Sequence, residues 1–223
     1  MPTARDPPIA PPRVRVPQCE STGCGSLPAR RRPWRRAGGG PVRLFVAIDI
    51  PDDILKTIGD LIERLRPTAP IRWSPVANLH VTTKFIGWWQ DERMGELDAA
   101  LRRLTGRPPF LVDVRGIGFF PNARSPRVLW AGVYGAEPLA ALASDTDRAL
   151  AALGLEPEKR AFSPHLTLAR IKEPVPLDRL HAAAARLGDA GFGSFTADRF
   201  FLYRSVLRPS GSQYTKLAEY IFG

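Results

Sequence analysis

A chain of 223 residues with 44% hydrophobic content can supply one large core or two small ones, and no run approaches the roughly eighteen unbroken apolar residues of a membrane-spanning helix, so a soluble protein with no membrane partner is expected. The two cysteines, Cys19 and Cys24, lie close together near the N-terminus, which excludes a disulfide framework or a cysteine-based zinc site from the rest of the chain and fits a reducing, cytoplasmic compartment. The net charge of +10 is uneven: residues 1–40 carry eight arginines against Asp6 and Glu20, leaving +4 for residues 41–223, a mildly basic balance compatible with a nucleic-acid or nucleotide partner.

Residues 1–40 are rich in Pro, Arg and Gly and show no hydrophobic period. Such a segment cannot bury enough apolar area to offset its ordering entropy, so it is expected to be disordered. An Arg-rich nucleic-acid-binding arm, a targeting peptide and an extension without function remain open as its role; its prolines count against an amphipathic transit helix. The ordered domain is expected over 41–223. It starts with Arg43-Leu44-Phe45-Val46-Ala47-Ile48-Asp49, a short apolar run that reads as a buried strand. Pro51 then opens a helix whose Ile54, Leu55, Ile58, Leu61, Ile62 and Leu65 form one stripe, and Pro67 ends it.

Arg72-Trp73-Ser74-Pro75 leads into a strand holding His80 and running to Gly87. A helix follows with Met94, Leu97, Leu101 and Leu104 on one side. Residues 110–120 and 127–134 read as a hairpin-like pair of strands joined across Pro121 to Pro126. From Glu137 a helix carries Leu139, Leu142, Thr146, Leu150 and Leu153 to Gly154, and the strand holding His165 comes next. A helix over about 177–187 and strands over about 194–206 and 212–222, with Pro209-Ser210-Gly211 as the last turn, complete the chain. The pattern is α+β: two halves, each contributing one histidine-bearing strand, in a bilobal arrangement with a cleft between lobes, where small-ligand sites commonly form.

Those two strands carry the chemistry. Leu79-His80-Val81-Thr82 and Pro164-His165-Leu166-Thr167 repeat one H-x-T frame 85 residues apart. A lone strand histidine is more often a satisfied structural residue than a catalyst. Here two of only three histidines share the frame, while the third, His181, sits in an alanine-rich helical run and reads as a surface residue. Side chains two apart in a strand share a face, so His80 joins Thr82 and His165 joins Thr167. Two imidazoles and two hydroxyls at one point suit phosphate chemistry. Histidine titrates nearest neutrality, so one ring can accept a proton while the other delivers one, and threonine hydroxyls can donate to oxygens on which charge builds.

Alternation assigns Arg170 to the face opposite His165 unless the strand ends or twists near Ala169, so it is either a phosphate contact or a surface residue. Lys84 falls by parity on the His80 face, although a lysine at a strand end is usually only solvated. Phe45 and Tyr214 could stack a base, with core packing the other role for Phe45.

In these stretches, with Asn78 to Gly87, Arg127-Val128-Leu129-Trp130, Pro164 to Arg170 and Tyr214-Thr215 in order, the chain resembles the 2H phosphoesterases, and within them the RNA 2′,3′-cyclic phosphodiesterases historically called 2′-5′ RNA ligases. The resemblance covers about residues 42–223. It implies a pseudo-symmetric fold, with two antiparallel-type sheets flanking a central cleft and helices outside. It implies His80 and His165 as the catalytic pair, with Thr82 and Thr167, and Arg170 as a further contact, binding substrate. RNA ends or nucleotides bearing a 2′,3′-cyclic phosphate would be the partners, and the product a 2′-phosphate. By the same analogy His165 activates water and His80 protonates the departing oxygen. No metal and no cofactor are expected, and the chain is expected to act as a monomer. Thr83 stands where the family more often has an aliphatic residue, and Ser74 where it often has a proline-rich turn. A non-catalytic RNA-end or nucleotide-binding module is the alternative. Literal 2′-5′ ligation would have to be reversed cyclic-phosphate chemistry, because the Lys-x-Asp-Gly context of a nucleotidyl-lysine ligase is absent.

Overall fold

The computed structural model describes residues 40–223 apart from Ser210. The expected disordered tail therefore lies, except for Gly40, outside the described residues, as does the centre of the expected turn at Ser210. The elements run β1 (Val42–Asp49), α1 (Asp52–Leu65), β2 (Arg72–Trp73), β3 (His80–Trp89), α2 (Met94–Arg102), β4 (Phe110–Phe120), β5 (Val128–Tyr134), α3 (Ala136–Ala151), β6 (His165–Arg170), α4 (Asp178–Leu187), β7 (Gly191–Ala197), β8 (Arg199–Arg208) and β9 (Gly211–Ile221). They form two antiparallel sheets, ordered β3-β1-β8-β9 and β2-β6-β5-β4-β7. The bilobal α+β expectation holds.

The predicted helix stripe faces the core: Ile54, Ile58, Leu61, Ile62 and Leu65 of α1 are buried and Leu55 is partly buried at its edge. The chain enters α1 through Pro51, and Asp52 and Asp53 sit in the first turn, where the helix dipole favours negative charge. Helices α1 and α4 pack on the second sheet and α2 on the first, while α3 touches β3 of the first and β4 of the second. Gly193 of β7 lets α1 come close, since a Cβ there would lie 2.8 Å from the Ile54 side chain.

Two expectations need correction. The strand expected over 194–206 is two strands: β7 pairs with β4 in the second sheet, and the chain crosses at Asp198 so that β8 lies between β1 and β9 in the first. Apolar residues flank Asp198-Arg199 on both sides, Phe195 and Ala197 before and Phe200-Phe201-Leu202 after, with no Gly or Pro between to mark the crossing. The sheets also mix the two sequence halves, because β2 from the first half pairs with β6.

Lys84 does not share the His80 face and is not solvated. Between the pairs Val46↔Lys84 and Ala47↔Thr82 the register shifts, leaving Thr83 as an extra residue in β3, and the bulge turns Lys84 into the interior. Thr83 is buried there with its hydroxyl donating to the Val46 carbonyl at 3.2 Å. The Lys84 side chain, only 6% exposed, pairs with Asp147 of α3 and donates to the Glu156 carbonyl. Removing one partner of a buried pair strands the other. Lys84→Ala is therefore expected to cost about 3 kcal/mol in urea unfolding, and Lys84→Met with Asp147→Leu clearly less than the single change.

Candidate active site

His80 opens β3 and His165 opens β6, and each ring is held in the same way. His80 Nδ1 donates to the Asn78 carbonyl and His165 Nδ1 to the Ser163 carbonyl, both at 2.7 Å. A carbonyl only accepts, so Nδ1 carries a proton in both rings and Nε2 is the atom that gains or loses one. Neither Nε2 forms a hydrogen bond to another described residue.

The threonines complete the motif faces. Thr82 and Thr167 are half-buried, and neither hydroxyl hydrogen-bonds to another described residue. Both remain available to a ligand. Ser74, in the loop before β3, ties the two motif strands together: its hydroxyl donates to the Thr167 carbonyl at 2.6 Å and its amide to the Leu168 carbonyl at 2.8 Å.

Arg170 joins the site because β6 contains the bulge that β3 contains. Leu129 pairs with Ala169 but Trp130 with Thr167, which leaves Leu168 as the extra residue and returns Arg170 to the face of His165 and Thr167. Strand β3 contacts β6, which brings the two motif strands together with Arg170 in electrostatic reach of both histidines. The bulge thus sets Arg170 on the His165 face, where its side chain is exposed. By the same device Phe85, five residues after His80, lies on the His80 side, 60% exposed and 6.2 Å from the Phe45 ring.

Phe45 takes the core-packing role, not that of a base-stacking surface. Phe45, 2% exposed, lies stacked under His80 with ring centroids 4.7 Å apart, and Tyr214 meets the same imidazole edge-on at 5.2 Å. Tyr203 stacks on the other side of Phe45 at 5.0 Å. An aromatic bed thus fixes the ring plane of His80.

Beneath it lies a polar group that sequence reading missed. Asp49, cross-strand partner of His80, accepts a hydrogen bond from the Tyr203 hydroxyl and pairs with Lys216. Burial, with the Asp49 carboxylate second, pushes the Tyr203 hydroxyl well above its usual range. No local pattern joins positions 49, 203 and 216, although the strand order β1-β8-β9 does.

His165 has a different setting. Its ring meets Phe120 edge-on at 5.0 Å and borders a hollow of about 470 Å³ walled by Phe120, Trp130, Tyr134, Phe162 and Pro164. Gly118 makes this wall possible, since the Trp130 indole lies where a Cβ at that position would be, 2.1 Å away. His181 is remote from these contacts. It is half-buried with its ring edge-on to Phe119 at 4.9 Å, a packed residue rather than the surface one expected.

Burial pushes His80 down to about 4, with Arg170 and His165 adding to the fall and the Asn78 carbonyl and Asp49 opposing it. His165 is lowered too, mainly by burial, with Arg170 assisting. Both rings are therefore neutral at pH 7. Among the described residues no three His, Cys, Asp or Glu side chains converge as a metal ligand set, and no helix is long and apolar enough to cross a membrane.

The geometry can be set beside known proteins. A family model described as the 2′-5′ RNA ligase superfamily matches residues 45–208, a span containing both motifs. The chain belongs to that superfamily. A superfamily member named RNA 2′,3′-cyclic phosphodiesterase from Methanothermobacter thermautotrophicus is 33% identical over 178 residues, which is 79% of this chain and 96% of the relative. One of the same name from Methanocaldococcus jannaschii is 34% identical over 182 residues, 80% of this chain and all of the relative. Among solved structures, TT0787 of Thermus thermophilus superposes with a TM-score of 0.69 at 30% identity, covering 81% of this chain and 97% of that one. E. coli LigT complexed with 3′-AMP gives 0.66 at 27% identity, covering 82% and 98%. The superfamily fold is thus the two-sheet cleft architecture described above.

Proposed function

We propose that the protein is an RNA 2′,3′-cyclic phosphodiesterase that works without a metal, through His80 and His165. The observation that carries this reading is the pair of imidazoles, each anchored through Nδ1, on strand faces shared with two threonine hydroxyls that have no hydrogen-bond partner among the described residues. The names of the relatives support the substrate class. His165 Nε2 takes a proton from water as the water oxygen bonds to phosphorus; the bond from phosphorus to O3′ breaks, and His80 Nε2–H delivers its proton to that oxygen. The product is a 2′-phosphomonoester with a free 3′-hydroxyl, and one water is consumed. Thr82, Thr167 and Arg170 hold the non-bridging oxygens, where charge accumulates in the transition state. The aromatic-walled hollow beside His165 suits a base stacking against Phe120 or Trp130.

Incubation with a nucleoside 2′,3′-cyclic phosphate in excess EDTA tests the reading, with products run against authentic 2′- and 3′-monophosphates. Turnover to the 2′-phosphate, undiminished by the chelator, is expected. Binding without turnover would make the protein an RNA-end-binding module, and a strict requirement for Mg²⁺, Mn²⁺ or Zn²⁺ would end the two-histidine mechanism.

A further inference from the structure

Arg72 and Arg170 are direct cross-strand partners in β2 and β6. Opposed residues of an antiparallel pair share a face at close range, and like charges placed so repel. Both side chains are exposed, and among the described residues neither forms an ion pair with a carboxylate. Two arginines thus share the site face, and among the described residues no carboxylate pairs with either. An anionic ligand would relieve the repulsion.

The position of Arg72 is not accidental to the fold. Strand β2 is two residues long, and Trp73 packs toward the core while Arg72 faces the other way. The two hydrogen bonds of Ser74 clamp the next residue to the Thr167–Leu168 backbone. Arg72 is therefore held in register with the second motif strand. Its guanidinium reaches toward the start of β9 in the other sheet, 3.4 Å from where a Cβ on Gly211 would sit. It lies at the cleft's edge, one strand outward from Arg170.

We propose that Arg72 binds a second phosphate, the internucleotide phosphate adjoining the terminal nucleotide, so that the site is built for the end of an RNA strand rather than for a free mononucleotide. The inference rests on the cyclic phosphodiesterase reading for the identity of the first phosphate. Arg170 takes that reacting group and Arg72 the next along the strand. Guanidinium suits this task because its planar fork donates two hydrogen bonds to one phosphate.

The test measures dissociation constants directly, which separates it from turnover. The ligands are a short oligoribonucleotide ending in a 2′-phosphate and the corresponding nucleoside 2′-monophosphate, each titrated against the full chain over a range of salt. Arg72→Gln is expected to weaken the oligonucleotide roughly five- to tenfold more than the mononucleotide, near the lower end for a charge-assisted hydrogen bond at an exposed site. The oligonucleotide's log–log salt slope should fall by about 0.7, the value for one phosphate contact on a single strand. Arg72→Lys should restore the slope while recovering affinity only in part, because it keeps the charge and loses the fork. Equal weakening of both ligands would place Arg72 on the reacting phosphate. Equal affinity and an unchanged slope for both would show a merely solvated arginine. Either result overturns the proposal. Absence of turnover of any cyclic phosphate, with the binding difference intact, would overturn only the catalytic reading.

Discussion

His165→Ala is expected to lower kcat for a nucleoside 2′,3′-cyclic phosphate by about 10²–10⁴-fold, and His80→Ala by a similar factor, the usual contribution of one positioned proton-transfer group. The two losses should not add, because a ring that activates water and a ring that protonates the departing oxygen serve one transition state. A substrate whose leaving group needs no proton separates them. With a nucleoside 4-nitrophenyl phosphodiester, His80→Ala should recover much of its lost rate, whereas His165→Ala should stay impaired. Rescue of His165→Ala instead would exchange the roles, and near-wild-type rates for both variants on both substrates would remove the pair from the mechanism. Neither change should unfold the protein, since each ring's only hydrogen bond among the described residues is to a carbonyl in the loop before it.

The reach of the sequence into this site follows the range of the interactions. Local pattern placed α1 and the strands expected at 110–120 and 127–134, the second of which begins at Val128. The H-x-T frames were legible for the same reason: a strand's two-residue repeat sets His and Thr on one face without knowledge of the partner strand. What lies just beyond each frame was not legible. Thr83 and Leu168 are ordinary strand residues, and only pairing with β1 and β5 makes each an extra one. Parity therefore failed for Lys84 and left Arg170 open, in both cases because the extra residue turns the following side chain over. The bed under His80 was hidden more deeply, since Tyr203 and Tyr214 reach Phe45 only through the β1-β8-β9 order. A sequence shows which residues alternate. The neighbouring strand decides where alternation slips.

Binding of an oxyanion should load a proton onto His80, and the size of that uptake tests its assignment as the acid. With its ring held down to about 4 by burial, Arg170 and His165, His80 is neutral in the empty site over most of the usable pH range. An anion between the two rings favours their charged forms and raises both. The substrate thus brings the charge that makes His80 an acid. Sulfate is the right probe because it does not titrate near pH 5.5. Calorimetric titration at that pH, in two buffers of different ionisation enthalpy, should show about one more proton taken up by the wild type than by His80→Gln. Equal uptake in the two proteins would mean that His80 stays neutral beside a bound anion, and the acid would then be His165. Stability should follow the same linkage. Between 6.5, the ring's ordinary value, and about 4, an unfolded chain binds a proton at this position that the folded chain refuses. Folding free energy is therefore lost as pH falls through that window, by up to about 3 kcal/mol at its lower end for a shift from 6.5 to about 4. Sulfate should return much of it, because the folded site then accepts the proton. Thermal midpoints measured from pH 7 to pH 4, with and without sulfate, should diverge toward the acid end. His80→Gln should flatten the sulfate-free curve, since it removes the group whose refusal of a proton tilts it.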